Sequence, residues 1–268
     1  MKAKRLTALT LALSVTLLPA FTSASPVEIN EVKTTLNGKQ IEMLPTAKKK
    51  QKNKEEAIVE RATTVEILDT KGKKVGSTKF DATSANKSKS ESKAQVAATR
   101  TVTVLAVADE EYRAAHSNWQ TLVQNAVEQA DDAFNRDHAI DYQVTGLGNW
   151  SSQGGNASQI LYDLEADWSG YSNYDFVVGF TRDTNFNSGG IAYVYPSAPS
   201  GSAFSVNLDQ GAYNTWHAAQ HEFSHNFGLP HDAQGSGIKC IMNYDYSYQV
   251  DYWDADHDAK IENNEHWY

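Results

Sequence analysis

The chain is nearly without cysteine. Cys240 is the one cysteine in 268 residues, so no internal disulfide can form. Stability must then come from a packed core or from bound metal. Basic residues are scarce in the second half. Residues 100–268 carry 6 Lys+Arg against 23 Asp+Glu, a net charge of −17. Such a surface repels phosphates and excludes nucleic acid as a partner. Long apolar runs are scarce too. Residues 6–18 form the one extended mainly apolar stretch, and it is short for a bilayer span. Lys2, Lys4 and Arg5 precede it and the small residues Thr22, Ser23 and Ala24 follow, so 1–24 reads as a secretory signal peptide. No membrane association is expected after its removal, and the protein is expected to be secreted and monomeric.

Residues 25–99 are poor in aromatics and rich in Lys, Thr, Ser and Glu. With 15 Lys+Arg and 10 Asp+Glu they carry +5, opposite in sign to residues 100–268. Lys48, Lys49, Lys50, Lys52 and Lys54 form a solvated charge run. A hairpin is expected at 63–69 and 73–80 around Thr70-Lys71-Gly72. Residues 82–98 read as a polar linker with too little apolar surface to pack. This segment fits a basic propeptide (25–99) drawn to an acidic catalytic domain (100–268), with processing near Arg100.

Within 100–268 the periodicity predicts strands at 101–108, 140–144, 175–181, 191–195 and 203–208. It predicts helices at 117–136, 158–168 and 215–227. Strand–helix–strand–helix–strand order implies a mainly parallel sheet with crossover helices. The expected class is α+β: a twisted, mostly parallel five-stranded sheet with an antiparallel edge strand, two crossover helices, an active-site helix and a C-terminal helix. Residues 254–265 place acids at the first, third, fifth and twelfth positions of a calcium loop, but Ala259 stands where that loop needs glycine. A closing helix capped by Asp254 is the expectation, and calcium elsewhere on the acidic surface stays open as a cofactor, though unsupported.

The chemistry concentrates in His221-Glu222-Phe223-Ser224-His225-Asn226-Phe227-Gly228-Leu229-Pro230-His231-Asp232. At 3.6 residues per turn His221 and His225 stack on one helix face, where two imidazoles can grip one ion. Glu222 can reach a metal-bound water. Gly228 releases the helix, and the turn returns His231 as a third ligand. Three nitrogens and one open position describe a catalytic zinc site. His217, one turn earlier, reads as a helix-surface or supporting residue rather than a fourth ligand. Cys240-Ile241-Met242-Asn243-Tyr244 comes after a short loop.

These two motifs resemble the metzincin zinc endopeptidases, whose hallmarks are the long zinc motif and a downstream Met-turn. Asp232 after the third histidine and Cys240-Ile241-Met242 look most like the adamalysin/reprolysin group. Tyr174-Asp175-Phe176-Val177-Val178 looks like that group's third strand. The lack of disulfides departs from it, and Tyr244, two residues past Met242, is similar to astacins and serralysins. The combination suggests a secreted bacterial member. The resemblance implies zinc on His221, His225 and His231, Glu222 as general base, and Met242 as the floor beneath the metal. It implies Gly190, Ile191, Ala192 and Tyr193 as the substrate-binding edge strand, and Tyr244 as either a further zinc ligand or an oxyanion donor. Tyr246, Tyr248 and Tyr252 are candidates for shaping the pocket.

The expected function is hydrolysis of peptide bonds in extracellular proteins by a zinc-activated water, acting on protein or peptide substrates and held latent by the chain's own propeptide. Latency by a cysteine ahead of the catalytic region is excluded. An acidic residue such as Asp81 is a candidate for that role. The competing readings are a secreted zinc-binding module without proteolysis and a non-peptidase zinc hydrolase.

Overall fold

The computed structural model describes residues 34–52, 57–59, 61–83, 100–171 and 173–268. The expected signal at 1–24 and residues 84–98 of the expected linker lie outside the described residues. In chain order the N-terminal segment contributes β1 (Thr35–Leu36), β2 (Lys39–Leu44), β3 (Thr63–Leu68) and β4 (Lys74–Phe80). The rest forms β5 (Arg100–Ala108), α1 (Glu110–Ala115), α2 (Trp119–His138), β6 (Ile140–Asn149), α3 (Ala157–Trp168) and β7 (Phe176–Thr181). Then come β8 (Gly190–Tyr193), β9 (Ala203–Leu208), α4 (Ala212–Asn226) and α5 (Ala255–Asn264). Among the described residues no helix is long and apolar enough to cross a membrane.

Strand β5 sets the layering. Successive side chains of a strand point to opposite faces, and here both faces are apolar. Val102, Val104, Ala106 and Ala108 join the core beneath α2 and α4, with Val123, Val127, Phe134 and Phe223. Leu105 and Val107 point the other way, to Ile160, Leu161, Leu164 and Trp168 of α3. Helices therefore cover both faces of the sheet. Asp109 ends β5 and starts α1: its carboxylate accepts from Tyr112 N at 2.7 Å and Arg182 N at 3.1 Å, satisfying donors that burial would otherwise orphan.

The strand order is β1-β2-β8-β9-β7-β5-β6-β3-β4. Strands β9, β7, β5 and β6 run parallel and β8 is antiparallel to β9. Those five are the expected strands, but among the described residues the sheet has nine, not five. The N-terminal segment supplies the other four. The β3–β4 hairpin adds to one edge, with β3 parallel to β6. Strand β2 adds to the other, antiparallel to β8 in the register Ile41–Tyr193, Glu42–Ala192, Met43–Ile191 and Leu44–Gly190. Unpaired strand edges attract further strands, and counting only residues 100–268 hides this. Strand β8 is consequently flanked on both sides.

Helix α4 carries the long histidine motif and is buried all round from Asn214 to Asn226. A helix in that position lacks a polar face, and this one buries His, Asn, Gln and Glu in the middle of the molecule. Its apolar anchor is Phe223, which stacks on Tyr142 of β6 at 4.9 Å and meets Phe176 edge-on at 5.7 Å. Phe223→Ala is expected to cost about 3–5 kcal/mol, the usual penalty for deleting a fully buried ring. Tyr162→Ala, on the exposed side of α3, should stay within about 0.5 kcal/mol. Denaturant melts of both variants check this; equal losses would deny Phe223 its anchoring role.

Candidate metal centre

The last turns of α4 place His221 and His225 side by side. The chain then leaves the helix through Phe227 and Gly228. Gly228 has φ +81°, and a Cβ there would lie 2.6 Å from the Tyr195 carbonyl oxygen. Both facts require glycine. The reversal brings His231 back against the other two.

The three Nε2 atoms meet: 3.1 Å between His221 and His225, 3.0 Å between His221 and His231, and 2.9 Å between His225 and His231. The opposite ring nitrogens explain the arrangement. His221 Nδ1 donates to the Ile241 carbonyl at 2.7 Å and His225 Nδ1 to the Leu229 carbonyl at 2.7 Å. A carbonyl only accepts, so the proton sits on Nδ1 and the lone pair on Nε2. His231 Nδ1 faces the Glu42 carboxylate at 3.2 Å. Burial pushes His221 and His225 well below the usual imidazole range, so both are neutral. Lone pairs directed at one point repel unless a cation lies between them. The donor set therefore fits a metal ion that accepts imidazole nitrogen, and the partners on Nδ1 supply the orientation such sites need.

Glu222 is fully buried beside this group, and neither carboxylate oxygen has a hydrogen-bond partner. Burial, and then the negative charge of Glu42, hold its carboxyl well above the usual range. The carboxylate packs against Gly190, where a Cβ would come within 2.8 Å of Glu222 Cγ and closer still to Oε1. Strand β8 must carry glycine there.

Other expected residues are distributed unevenly. Met242 is fully buried, and its carbonyl accepts from Asp232 N at 3.1 Å. The preceding carbonyl, Ile241, is the one that orients His221, so the Met-turn acts on the metal group through its backbone. His217 stands apart, with Nδ1 on the Tyr213 carbonyl at 2.8 Å. Tyr244 lies over the group, its ring 4.3 Å from that of His231, and its hydroxyl donates to the Met43 carbonyl at 2.8 Å. Of the three later tyrosines, Tyr248 lines the cleft, donating to the Pro45 carbonyl at 2.8 Å, whereas Tyr252 is exposed. The C-terminal stretch is helix α5, with Asp254 capping its N-terminus by accepting from Asp256 N and His257 N.

The largest difference from expectation lies in residues 39–51, which run through the cleft. Gly189 N donates to Leu44 O at 2.6 Å and Val194 N to Gln40 O at 2.9 Å. Ala47 N donates to Gln210, Asn214 to Lys49 O and Gln51 to Tyr248 O. Ile41 and Leu44 are buried. The acidic residue at the metal group is Glu42. Asp81 is exposed and pairs with Lys79 at 2.7 Å, because it comes just after the hairpin at the far edge of the sheet. A β-forming run ended by Pro45 was the available signal for β2; nothing local indicates where it docks. Asn226 was also missed. Its amide donates to the Tyr193 and Phe204 carbonyls and fastens α4 to β8 and β9.

Among proteins of known structure, one described as "Structure of a chaperone-substrate complex" aligns over 68% of this chain and 33% of its own, with 14% identity and a TM-score of 0.46. This chain thus spans about a third of that one, and the likeness carries no argument. No curated protein matches. The model of metallo-peptidase family M12 (Reprolysin_5) matches residues 98–254, more than half of the chain and the whole of the histidine motif. The chain belongs to metallo-peptidase family M12.

Proposed function

We propose that this chain is the secreted zymogen of a zinc endopeptidase that hydrolyses peptide bonds of extracellular proteins. One observation carries the reading. Three imidazoles turn their Nε2 atoms to one point beside a buried, unpartnered Glu222, at a strand that already holds an extended peptide. His221, His225 and His231 would hold the zinc. Zinc in that position supplies a Lewis acid that makes a water acidic near neutral pH and polarises a peptide carbonyl.

The remaining work falls to the chain's own groups. Glu222 takes a proton at its carboxylate and later delivers it to the leaving amine nitrogen. Both of its carboxylate oxygens lack a hydrogen-bond partner, which leaves them available to take that proton. A substrate takes the place of residues 41–44, extended and antiparallel to β8, bound backbone to backbone. The Tyr244 hydroxyl, which now donates to the Met43 carbonyl, donates to the substrate carbonyl that replaces it. Gly190 keeps the strand close enough for the carboxylate and the peptide to meet.

Latency arises from the same contacts. Residues 25–99 act as the propeptide and 39–51 occupy the cleft until a cut near Arg100 frees them. Glu42 is the residue of this segment that addresses the metal group.

Three outcomes are expected. Glu222→Gln should keep its metal while casein cleavage by the processed enzyme falls about 10²–10⁴-fold, the usual contribution of a general base. The unsubstituted processed enzyme should lose cleavage to a chelator and regain it with zinc. Undiminished cleavage by metal-loaded Glu222→Gln sinks the assignment. A synthetic peptide of residues 39–50 should inhibit the processed enzyme competitively. The same peptide with Ile41→Asp and Leu44→Asp should be at least about 100-fold weaker, since each buried side chain is worth about 1.5–3 kcal/mol. Equal inhibition by the two peptides would remove the propeptide from the cleft.

A further inference from the structure

A second group of metal-type side chains lies behind the third histidine. Asp232, Cys240, Asp254 and His257 each direct one ligand atom inward, and these atoms all lie within 4.8 Å of one another. We propose that these four residues form a second zinc site, closed and structural, which holds the His231 loop, the Met-turn and the start of α5 together. The proposal is independent of the catalytic reading.

The imidazole gives the first reason. His257 Nε2 lies 3.1 Å from the Pro230 carbonyl, so that nitrogen carries the proton. In the neutral ring Nδ1 then presents a lone pair. It faces Asp254 Oδ2 at 2.6 Å, Cys240 Sγ at 3.4 Å and Asp232 Oδ2 at 3.8 Å. All are electron-rich atoms.

The carboxylates give the second. Asp254 Oδ1 is engaged by the backbone N–H groups of Asp256 and His257, which leaves Oδ2 to point at the group. Asp232 Oδ2 is buried, and the side chains that Asp232 meets are those of Cys240, Asp254 and His257. An imidazolium at His257 would offset one of the two carboxylates and leave the other. A divalent cation offsets both and converts the thiol to thiolate on binding.

The donor chemistry selects the metal. Sulfur, nitrogen and two carboxylate oxygens suit zinc, whereas calcium and magnesium take oxygen ligands. A tetrahedral zinc ion with bonds of about 2.0–2.3 Å has donor–donor edges of about 3.3–3.8 Å, and two of the three distances above fall in that range. Four protein ligands leave no open position, in contrast to the three at the histidine group. His257 donates through Nε2 to a carbonyl, as a ligating histidine normally does through the nitrogen that does not bind metal.

The test uses the full chain carrying Glu222→Gln, which prevents self-cleavage. Expressed with zinc, it should contain two metal ions by elemental analysis. Exchanged into cobalt, it should show a near-ultraviolet thiolate-to-cobalt charge-transfer band, which the all-histidine group cannot give. Adding Cys240→Ser should remove the band and lower the content from two ions to one. Adding His225→Ala should weaken the histidine group and keep the band. One ion per chain without a thiolate band overturns the proposal and leaves a His257–Asp254 pair beside a free thiol. That spectrum is read on unsubstituted Cys240, so it decides the matter even where Cys240→Ser fails to fold.

Discussion

Three imidazole lone pairs aimed at one point are a constraint before they are a site. They repel one another and must be held there. The Ile241 and Leu229 carbonyls do this by fixing the protonated nitrogens of His221 and His225. Those carbonyls need fixed positions in turn. Leu229 comes straight after the Gly228 reversal, and Ile241 is pinned by its own N–H on the Tyr252 carbonyl at 3.0 Å. The helix beneath them cannot rotate, because Asn226 binds two strands and Phe223 is clasped by Tyr142 and Phe176. These contacts accompany the burial of α4 from Asn214 to Asn226.

The edge of the sheet supplies the second half of the chemistry. A strand with one free side recognises any extended backbone. Here that side of β8 is taken by β2 of the same chain. The Glu42 carboxylate lies beside His231 and adds negative charge near Glu222, driving that carboxyl further from ionisation. One short strand thus pairs along β8 and sets a carboxylate beside His231. In the proposed zymogen this occupant is attached to the domain it covers, so its local concentration is high until the chain is cut.

The histidine motif, the glycine after it and the Met-turn could be read directly, because their chemistry depends on spacing along one helix and one turn. The central strands could be read because β5 and β7 are apolar on both faces, and α2 because its apolar stripe has helical period. Residues whose meaning is set by distant partners could not. Glu42 is one acid among ten in its segment, and only the register of β2 on β8 distinguishes it from Asp81. Asn226 reads as an unremarked helix residue until two carbonyls from β8 and β9 appear beside it. The sheet was undercounted for the same reason. The hairpin of β3 and β4 was expected from its own residues, but its docking on β6, and that of 39–44 on β8, depends on edges built by residues far along the chain.

A domain without disulfides needs other ties across the turn at Gly228, and the C-terminal residues provide them. Trp253 Nε1 donates to Ser224 on α4 at 2.9 Å, Asn264 to the Phe227 carbonyl at 2.7 Å and Tyr268 to the Asn226 carbonyl at 2.7 Å. The last two satisfy acceptors that the end of α4 leaves open. Arg100, the first residue of β5, donates to the Tyr268 carbonyl at 2.8 Å, so the closing residue also meets the opening strand. The Asp232–Cys240–Asp254–His257 group belongs to this set, joining the loop that carries His231 to the same C-terminal helix. Side-chain ties of this kind are individually weak, each worth about 1 kcal/mol net. Their effect comes from where they converge. They act on the few residues around Gly228 that decide whether His231 meets His221 and His225, so the last sixteen residues hold the histidine group together as much as the motif itself does.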